Sequence, residues 1–401
     1  MVMRNRVRRT GFALALTLGA MSAVAVSGQG AGTAGAAGAP IKIINISMVT
    51  SPVYGQPSPE TPATIKAAAS VINAAGGLDG HPIKVIVCDD KGNLNDAANC
   101  AREAVSDGVV AAVGDNSPTG TAIDPILESA GIATIGPNPL SAADLSSPNS
   151  FTVQSGFLTV TGAAVALEQA GAKRIETVTI AASTSAEVSA LAGLGLSGGA
   201  SVVGQVNVPA DAPDLSSYVA QATANSDGIV VAMTPNLGAR FITALHQSGT
   251  KELVSTADSS VPPAVLKGLG GAANGLLVAC QTRLFCGQGQ PAKAYLAAMA
   301  KYAHGQPLDT FTANSWVAME VFAGMVHQEH LTNITAASVL AGMKNVTNLK
   351  VQGIPNYSTT IPFSISALSQ EFNPDVFIGK VENGKIVVIH PEFFNPVHPS
   401  S

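Results

Sequence analysis

The chain has 401 residues, a formal net charge of −5 and only 12% charged side chains. It carries no basic excess, which excludes the electrostatic footprint of a nucleic-acid binder, and 4% aromatic residues leave little for a stacking platform for sugars or bases. Its length suits two domains of ordinary size.

The N-terminus reads as an export signal. Arg4, Arg6, Arg8 and Arg9 form a cationic n-region, Phe12 to Met21 an apolar h-region too short to span a bilayer, and Ala23-Val24-Ala25 a small-x-small cleavage site. Residues 1–25 are expected to be a signal peptide and the Gly/Ala-rich 26–40 a linker. The n-region suits the general secretory route, and the Arg8-Arg9 pair also fits twin-arginine export. The first cysteine is Cys88, so no lipid-attachment cysteine follows the h-region. The mature chain is expected to be periplasmic or extracellular, soluble and not lipid-anchored.

Strands and helices then alternate. Residues 41–48 read as a strand, 60–74 as a helix with Ile65, Ala68, Ala69 and Ile72 on one face, and 83–87 as a buried strand. Asn73, Gly76 and Gly77 supply a left-handed stop to that helix. Ala97, Ala101, Ala104 and Val105 make a helical stripe, followed by a strand at 109–113, a helix at 123–130 and a strand at 132–135. The rhythm restarts with strands at 175–181, 202–208, 228–233 and 252–256. Helices are expected between them near 157–170, 185–196, 214–224 and 237–247. Such repeated βα units predict parallel sheets with helices on both faces. Late helices near 290–303 and 311–329 precede short strands at 360–364, 376–381 and 385–389, the last two joined by an Asn383-Gly384 turn.

Four cysteines fall as two close pairs, Cys88 with Cys100 and Cys280 with Cys286. In an exported chain this predicts two disulfides. The spacings are not C-x-x-C and the seven histidines are scattered, so no metal site is expected.

The segment from Glu60 to Asp90, ETPATIKAAASVINAAGGLDGHPIKVIVCDD, carries more than periodicity. Its NAAGGLDG at 73–80 and its Asp89-Asp90 pair closely resemble the first α/β unit of type I periplasmic solute-binding proteins. These are the branched-chain amino-acid binding proteins of ABC importers. The resemblance implies two Rossmann-like α/β lobes with a hinge between them. Lobe one is expected to comprise 41–152 plus 257–335, lobe two 153–256 plus 336–392, and the tail 393–401. It also implies a monomer that binds a small solute, partners an ABC permease, uses no cofactor and catalyses nothing. The expected function is capture of a small polar ligand, an amino acid or related carboxylate or amide, for delivery to the importer. The alternative is a ligand-sensing receptor of the same fold with no transport role.

Ligands of open parallel sheets sit outside the carboxyl ends of strands. Tyr54, after the first strand, is placed to close over a ligand. In the loop 114–121 the resemblance puts Ser117 and Thr119 where the family grips an α-carboxylate, at a helix start whose amides favour anions. Asn138 and Ser141 follow the next strand and offer contacts to the same carboxylate, although Pro137 and Pro139 depart from the family's hydroxyl run. In lobe two the candidates are Ser183, Thr234 and Asp258. By position, Asp258 pairs with a ligand ammonium. The family's closing tyrosine after the strand ending at Ala181 is absent.

No nucleotide-binding glycine loop, Walker loop or hydrolase elbow stands after a strand. Asp89 and Asp90 are adjacent on an extended chain and point to opposite faces, so they do not converge as an acid/base pair.

Overall fold

The computed structural model describes residues 38–50, 57–181, 185–287 and 292–398. The expected signal peptide, Tyr54 and Ser183 lie outside the described residues.

Lobe one is built on five parallel strands: β1 (Ile41–Ser47), β2 (Ile83–Asp89), β3 (Ala111–Val113), β4 (Ala133–Ile135) and β5 (Ser150–Phe151), in the order β2-β1-β3-β4-β5. The pleat sends alternate side chains of β1 to opposite faces. Ile41 and Ile43 pack with α1 (Glu60–Ala74), while Ile44 and Ile46 pack with α2 (Leu94–Asp107) and α3 (Gly120–Ser129). A strand apolar on both faces is what a sheet covered by two helical layers requires.

Lobe two continues with α4 (Leu158–Gln169), β6 (Arg174–Ile180), α5 (Ser185–Gly193), β7 (Ser201–Val208), α6 (Ser216–Thr223), β8 (Gly228–Ala232), α7 (Pro235–Gln247), β9 (Leu253–Ala257), α8 (Pro263–Leu269) and β10 (Leu277–Cys280). Its sheet runs β12-β11-β10-β9-β8-β6-β7, closed by the antiparallel hairpin β11 (Val376–Glu382) and β12 (Lys385–Phe394). Strands β6 to β10 pair in parallel. As the turn residues predict, Asn383 and Gly384 both take positive φ, at 52° and 74°.

Three expectations need correction. Residues 360–364 form no strand: Pro362 lacks an amide donor and Ile361 is 77% exposed, so nothing pairs or buries the segment. Strand β10 is additional, a four-residue apolar run too short to be told from a helix turn by period. The lobe boundaries shift with it. Residues 257–280 stay in lobe two, because β10 pairs with β9. The return to lobe one comes later, with α9 (Lys293–Tyr302), α10 (Thr310–Gln328) and α11 (Ala336–Met343), whose Tyr295, Val317 and Val339 join the core beneath β1 and α1. So α11 and the chain through Tyr357 belong to lobe one, not to lobe two.

The chain thus crosses between sheets at 152–155, 281–284 and 371–375. Two of these crossings are tied side by side. The Thr152 hydroxyl donates to the Gln370 carbonyl at 2.8 Å, Asn373 Nδ2 to the Val153 carbonyl at 2.9 Å, and the Ser155 hydroxyl to the Asp375 carbonyl at 3.3 Å. Such a paired ribbon leaves rotation about itself as the soft motion between lobes.

The sulfurs of Cys88 and Cys100 lie at bonding distance with Cα atoms 5.6 Å apart, and those of Cys280 and Cys286 with Cα atoms 6.1 Å apart. The first joins β2 to α2 and the second joins the end of β10 to the crossing that follows. Peptide mapping without reductant is expected to recover both linkages. Replacing Cys88 and Cys100 together by alanine should cost about 3 kcal/mol by loop entropy. Free thiols at all four positions would exclude both bonds.

Candidate functional site

The strand order of lobe one reverses between β1 and β3, which opens a crevice at their carboxyl ends. The loops there begin on glycines that nothing larger can replace. Gly114 has φ 65° and its Cβ would fall 2.7 Å from Ile65 Cδ1; Gly136 has φ 63° and its Cβ would fall 2.5 Å from Ala318 Cβ. These glycines let the loops turn back over the sheet edge, against α1 and α10.

A small polar cleft of about 10 Å³, room for about one water, results, lined by Thr61 of α1, Asp115 and Asn116 after β3, Asn138 after β4, Gln154 after β5, and Phe311, Asn314 and Ser315 of α10. Two larger grooves lie on the helices α6 to α8 of lobe two, around Ser216 to Thr223 and Arg240 to Gln247.

Side-chain amides run through the cleft as one hydrogen-bonded chain. Asn116 Nδ2 donates to the Ser58 hydroxyl at 2.9 Å, Asn138 Nδ2 to Asn116 Oδ1 at 2.9 Å, Gln154 Nε2 to Asn138 Oδ1 at 3.3 Å, and Asn314 Nδ2 to Gln154 Oε1. Gln154 Nε2 also donates to the Pro137 carbonyl at 3.2 Å, and a backbone carbonyl can only accept. That contact fixes the direction of the chain, so Asn314 must offer its NH2 to Gln154 and turn its oxygen away. Of these amides, Asn116, Gln154 and Asn314 are buried.

The hydroxyls expected to hold a solute carboxylate face carboxylates of the chain itself. Ser117 donates to Asp90 Oδ2, and Thr119 donates to the same oxygen at 2.9 Å. Thr119 makes no side-chain cap on α3; instead Ser117 Oγ accepts from the Thr119 amide at 3.1 Å. Ser141 lies against the start of α3, where a Cβ on Gly120 would fall 2.4 Å from both Ser141 Oγ and Asp144 Oδ1. The Ser141 amide donates to Asp144 Oδ2 at 2.7 Å. Asp144 therefore occupies the place near a helix N-terminus that suits an anion. Asp89 points the other way from Asp90 and accepts from the Val49 amide at 2.8 Å.

These carboxylates are buried among one another. Burial, and then the field of Asp144, push Asp124 up to about 8; burial pushes Asp144 up to about 7. Asp115 accepts from the Ile46 amide at 2.8 Å, yet burial and the neighbouring Asp124 and Asp90 hold it well above the usual carboxylate range.

On lobe two, Thr234 precedes α7 at the end of β8, half-buried. Asp258 starts a short turn after β9 and is fully buried. Its carboxylate accepts from the Gln281 amide at 3.1 Å, from Gln281 Nε2 at 3.0 Å and from the Thr310 hydroxyl at 3.0 Å, the last across the lobes. Burial nevertheless raises it to about 6. Asp258, Cys280 and Cys286 form the one grouping of potential metal ligands among the described residues. The two sulfurs are bound to each other and so provide no thiolate.

The geometry brings Asn138 into the cleft with Asn116, Gln154 and Asn314, which sequence reasoning passed over. Gln154 lies at a lobe crossing and Asn314 inside a helix 160 residues away, so no local spacing links them. Ser117, Thr119 and Ser141 sit beside the cleft, bound to Asp90 and Asp144.

No curated protein sequence matches the chain. Solved structures share its fold, among them the following three. A fatty acid ABC transporter substrate-binding protein from Thermomonospora curvata is 18% identical, with a TM-score of 0.72 over 88% of this chain and 92% of that one. An extracellular ligand-binding receptor from Verminephrobacter eiseniae is 18% identical, with a TM-score of 0.70 over 86% and 99%. A leucine-binding protein from Thermotoga maritima is 18% identical, with a TM-score of 0.66 over 89% and 99%. The sequence profile described as periplasmic binding protein matches residues 40–385. Among the described residues no helix is long and apolar enough to cross a membrane. The chain belongs to the periplasmic binding protein family, whose members bind solutes and are not enzymes.

Proposed function

We propose that this protein is an exported, extracytoplasmic solute-binding protein that captures a small polar ligand between its lobes and delivers it to an ABC importer. The observation that carries the reading is a pair of α/β lobes tied by a paired hinge ribbon, with polar side chains gathered at the β1/β3 switch point of lobe one. Lobe one takes the solute first, through the strand-end loops around Ser117, Thr119, Asn138 and Ser141. Lobe two then closes over it with Thr234, while Asp258 ties the two lobes together, and the closed state is favoured by contacts that only it can make. The ligand class is an amino acid or a related carboxylate or amide. The second reading, a ligand-sensing receptor without a transport role, is favoured by the name of the Verminephrobacter eiseniae protein.

A thermal-shift screen of amino acids, amides and short carboxylic acids tests solute capture, since a ligand at 100-fold its Kd adds about 2.7 kcal/mol of stability. Small-angle scattering with and without a hit should give a smaller radius of gyration when bound. An unchanged radius at saturation excludes closure. Uptake lost on deleting the gene and restored by the wild-type chain identifies transport, whereas a signalling defect with intact uptake identifies the sensor.

A further inference from the structure

The two lobe crossings that run side by side share a buried carboxyl. Glu371 begins the 371–375 crossing and is 3% exposed. Its Oε1 lies 3.1 Å from the Thr152 hydroxyl of the 152–155 crossing and accepts from the Asn373 amide at 3.0 Å. Thr152 has one hydroxyl proton and two acceptors within reach. The nearer is the Gln370 carbonyl at 2.8 Å, which can only accept. The same hydroxyl oxygen accepts from the Phe372 amide at 3.2 Å. With its proton on Gln370 and one lone pair on Phe372, Thr152 has a single lone pair left for Glu371. A carboxylate there sets lone pair against lone pair. A carboxylic acid completes the set by donating to Thr152.

The surroundings favour the acid form. Burial pushes Glu371 up to about 8, and the field of Asp375 on the same crossing acts in the same direction. Tyr357 packs against the ribbon from lobe one and donates its hydroxyl to the Thr152 carbonyl at 2.8 Å. The first crossing, Thr152-Val153-Gln154-Ser155, carries no titratable side chain. No lysine, arginine or histidine is among the groups that act on Glu371. Beside the ribbon, the Phe372 ring packs between Phe151 and Tyr357, with centroids 5.9 and 6.5 Å away, and makes an apolar wall.

We propose that a proton on Glu371 latches the hinge between the lobes: the carboxylic acid donates to Thr152 across the paired crossings, and its ionisation unfastens them. An ionised Glu371 keeps Thr152 only by taking its hydroxyl proton, which the Gln370 carbonyl then loses, so one of the two bonds is lost either way. The new charge has no cation beside it and faces Asp375, so the ribbon must part to admit water. Rotation about this ribbon is the soft motion between lobes, so open arrangements gain population as the pH rises. Below about pH 4 the latched and the parted ribbon both hold the proton and the latch is at full strength. Between there and the latched value near 8 only the latched form holds it, so each pH unit multiplies the parted population by up to about ten-fold. Above that value the effect levels off. Any consequence for solute affinity rests on the solute-capture reading; the latch itself does not.

The test is hydrogen exchange with mass spectrometry on the full mature chain, without solute, at about pH 5, 6.5 and 8, each rate taken relative to the unfolded chain at the same pH. Peptides over 152–155 and 371–375 are expected to lose protection as the pH rises, by up to about ten-fold per unit. They should exchange faster than peptides of β1 at every pH, which makes the opening local. Glu371→Gln carries a donor at every pH, so its ribbon protection should stay level. Small-angle scattering at pH 8 should give the parent a larger radius of gyration than Glu371→Gln. Ribbon protection that does not change with pH in the parent overturns the latch. So does a ribbon that exchanges at the rate of β1 throughout, or a Glu371→Gln protein that loses protection as steeply as the parent. If Glu371→Gln fails to fold, the pH dependence of the parent ribbon and its comparison with β1 still decide. Because no solute is used, failure of the latch leaves solute capture standing, and failure of the thermal-shift screen leaves the latch standing.

Discussion

Raising the pH from 5 to 8 is expected to destabilise this protein, the reverse of the usual behaviour of a carboxylate-rich chain. Burial pushes Asp124 and Glu371 up to about 8 and Glu60 and Asp144 up to about 7, with no cation among the causes that act on them. Their unfolded values lie near 4. Below that, folded and unfolded chains hold the same protons and the groups contribute no difference. Between about 4 and the folded value, the native state keeps a proton that the unfolded chain has released. Stability then falls with rising pH by about 1.4 kcal/mol per unit per group, and levels off above the folded value. Asp227, Glu168 and Asp89 have lowered values, and their contribution is lost only at acid pH, outside this window.

The Asp124–Asp144 pair is the part to isolate. Two ionised carboxylates have no donor between them, and Asp124 Oδ2 finds none elsewhere among the described residues. One proton on Asp124 supplies the missing bond to Asp144, and the two carboxyls lose their protons as one linked pair. Its share of the loss between pH 5 and 8 is on the order of 3 kcal/mol. Asp124→Asn supplies that donor at every pH. Urea midpoints at pH 5, 6.5 and 8 should therefore fall less steeply for Asp124→Asn, and the variant should be more stable than the parent at pH 8. A parent whose midpoint rises across this range would refute the buried-proton account, and an unchanged slope in Asp124→Asn would move the effect to Glu371 and Glu60.

These carboxylates also mark where sequence and structure part. The βα rhythm and the Glu60–Asp90 segment made both sheets and most helices legible, because period 2 and period 3.6 are written locally and each strand carries its own apolar run. The Cys88–Cys100 pairing was legible for the same reason: a strand end and the next helix are neighbours by chain order. The later crossings were not, since a four-residue strand such as Leu277–Cys280 has no period of its own and its place is set by β9 and β11. The candidate site was legible to the loop but not to the atom. Ser117 and Thr119 stand where strand-end logic put them, yet the partner of their hydroxyls, Asp90, lies at the end of another strand. Asn314 joins the cleft from a helix whose sequence reads simply as buried, with Ala313, Val317 and Ala318 around it. Long-range polar pairing leaves no pattern in spacing, and it decides which groups remain open to a solute.

Substituting Asp258 is expected to weaken the fold and the join between lobes more than it weakens any single solute contact. The carboxylate is fully buried, and the accounted-for donors are the Gln281 amide, Gln281 Nε2 and the Thr310 hydroxyl. They come from the end of β10 and from the first turn of α10, so one side chain ties the second sheet to a helix of lobe one. Asp258→Ala leaves those donors buried without an acceptor, at a cost of about 2–4 kcal/mol. Asp258→Asn keeps the shape but must turn an NH2 toward at least one of these donors, so a smaller loss in the same direction is expected. Because Thr310 sits across the lobes, both variants should also populate a more open form, read as a larger radius of gyration without ligand. If Asp258 instead served as the counter-charge of a solute ammonium, Asp258→Asn would retain its urea midpoint and its dimensions. It would then lose affinity for ammonium-bearing solutes alone, by roughly thirty-fold or more. The two outcomes separate in one pair of measurements, because three protein donors around a buried carboxylate leave it little left to offer a ligand unless the lobes part.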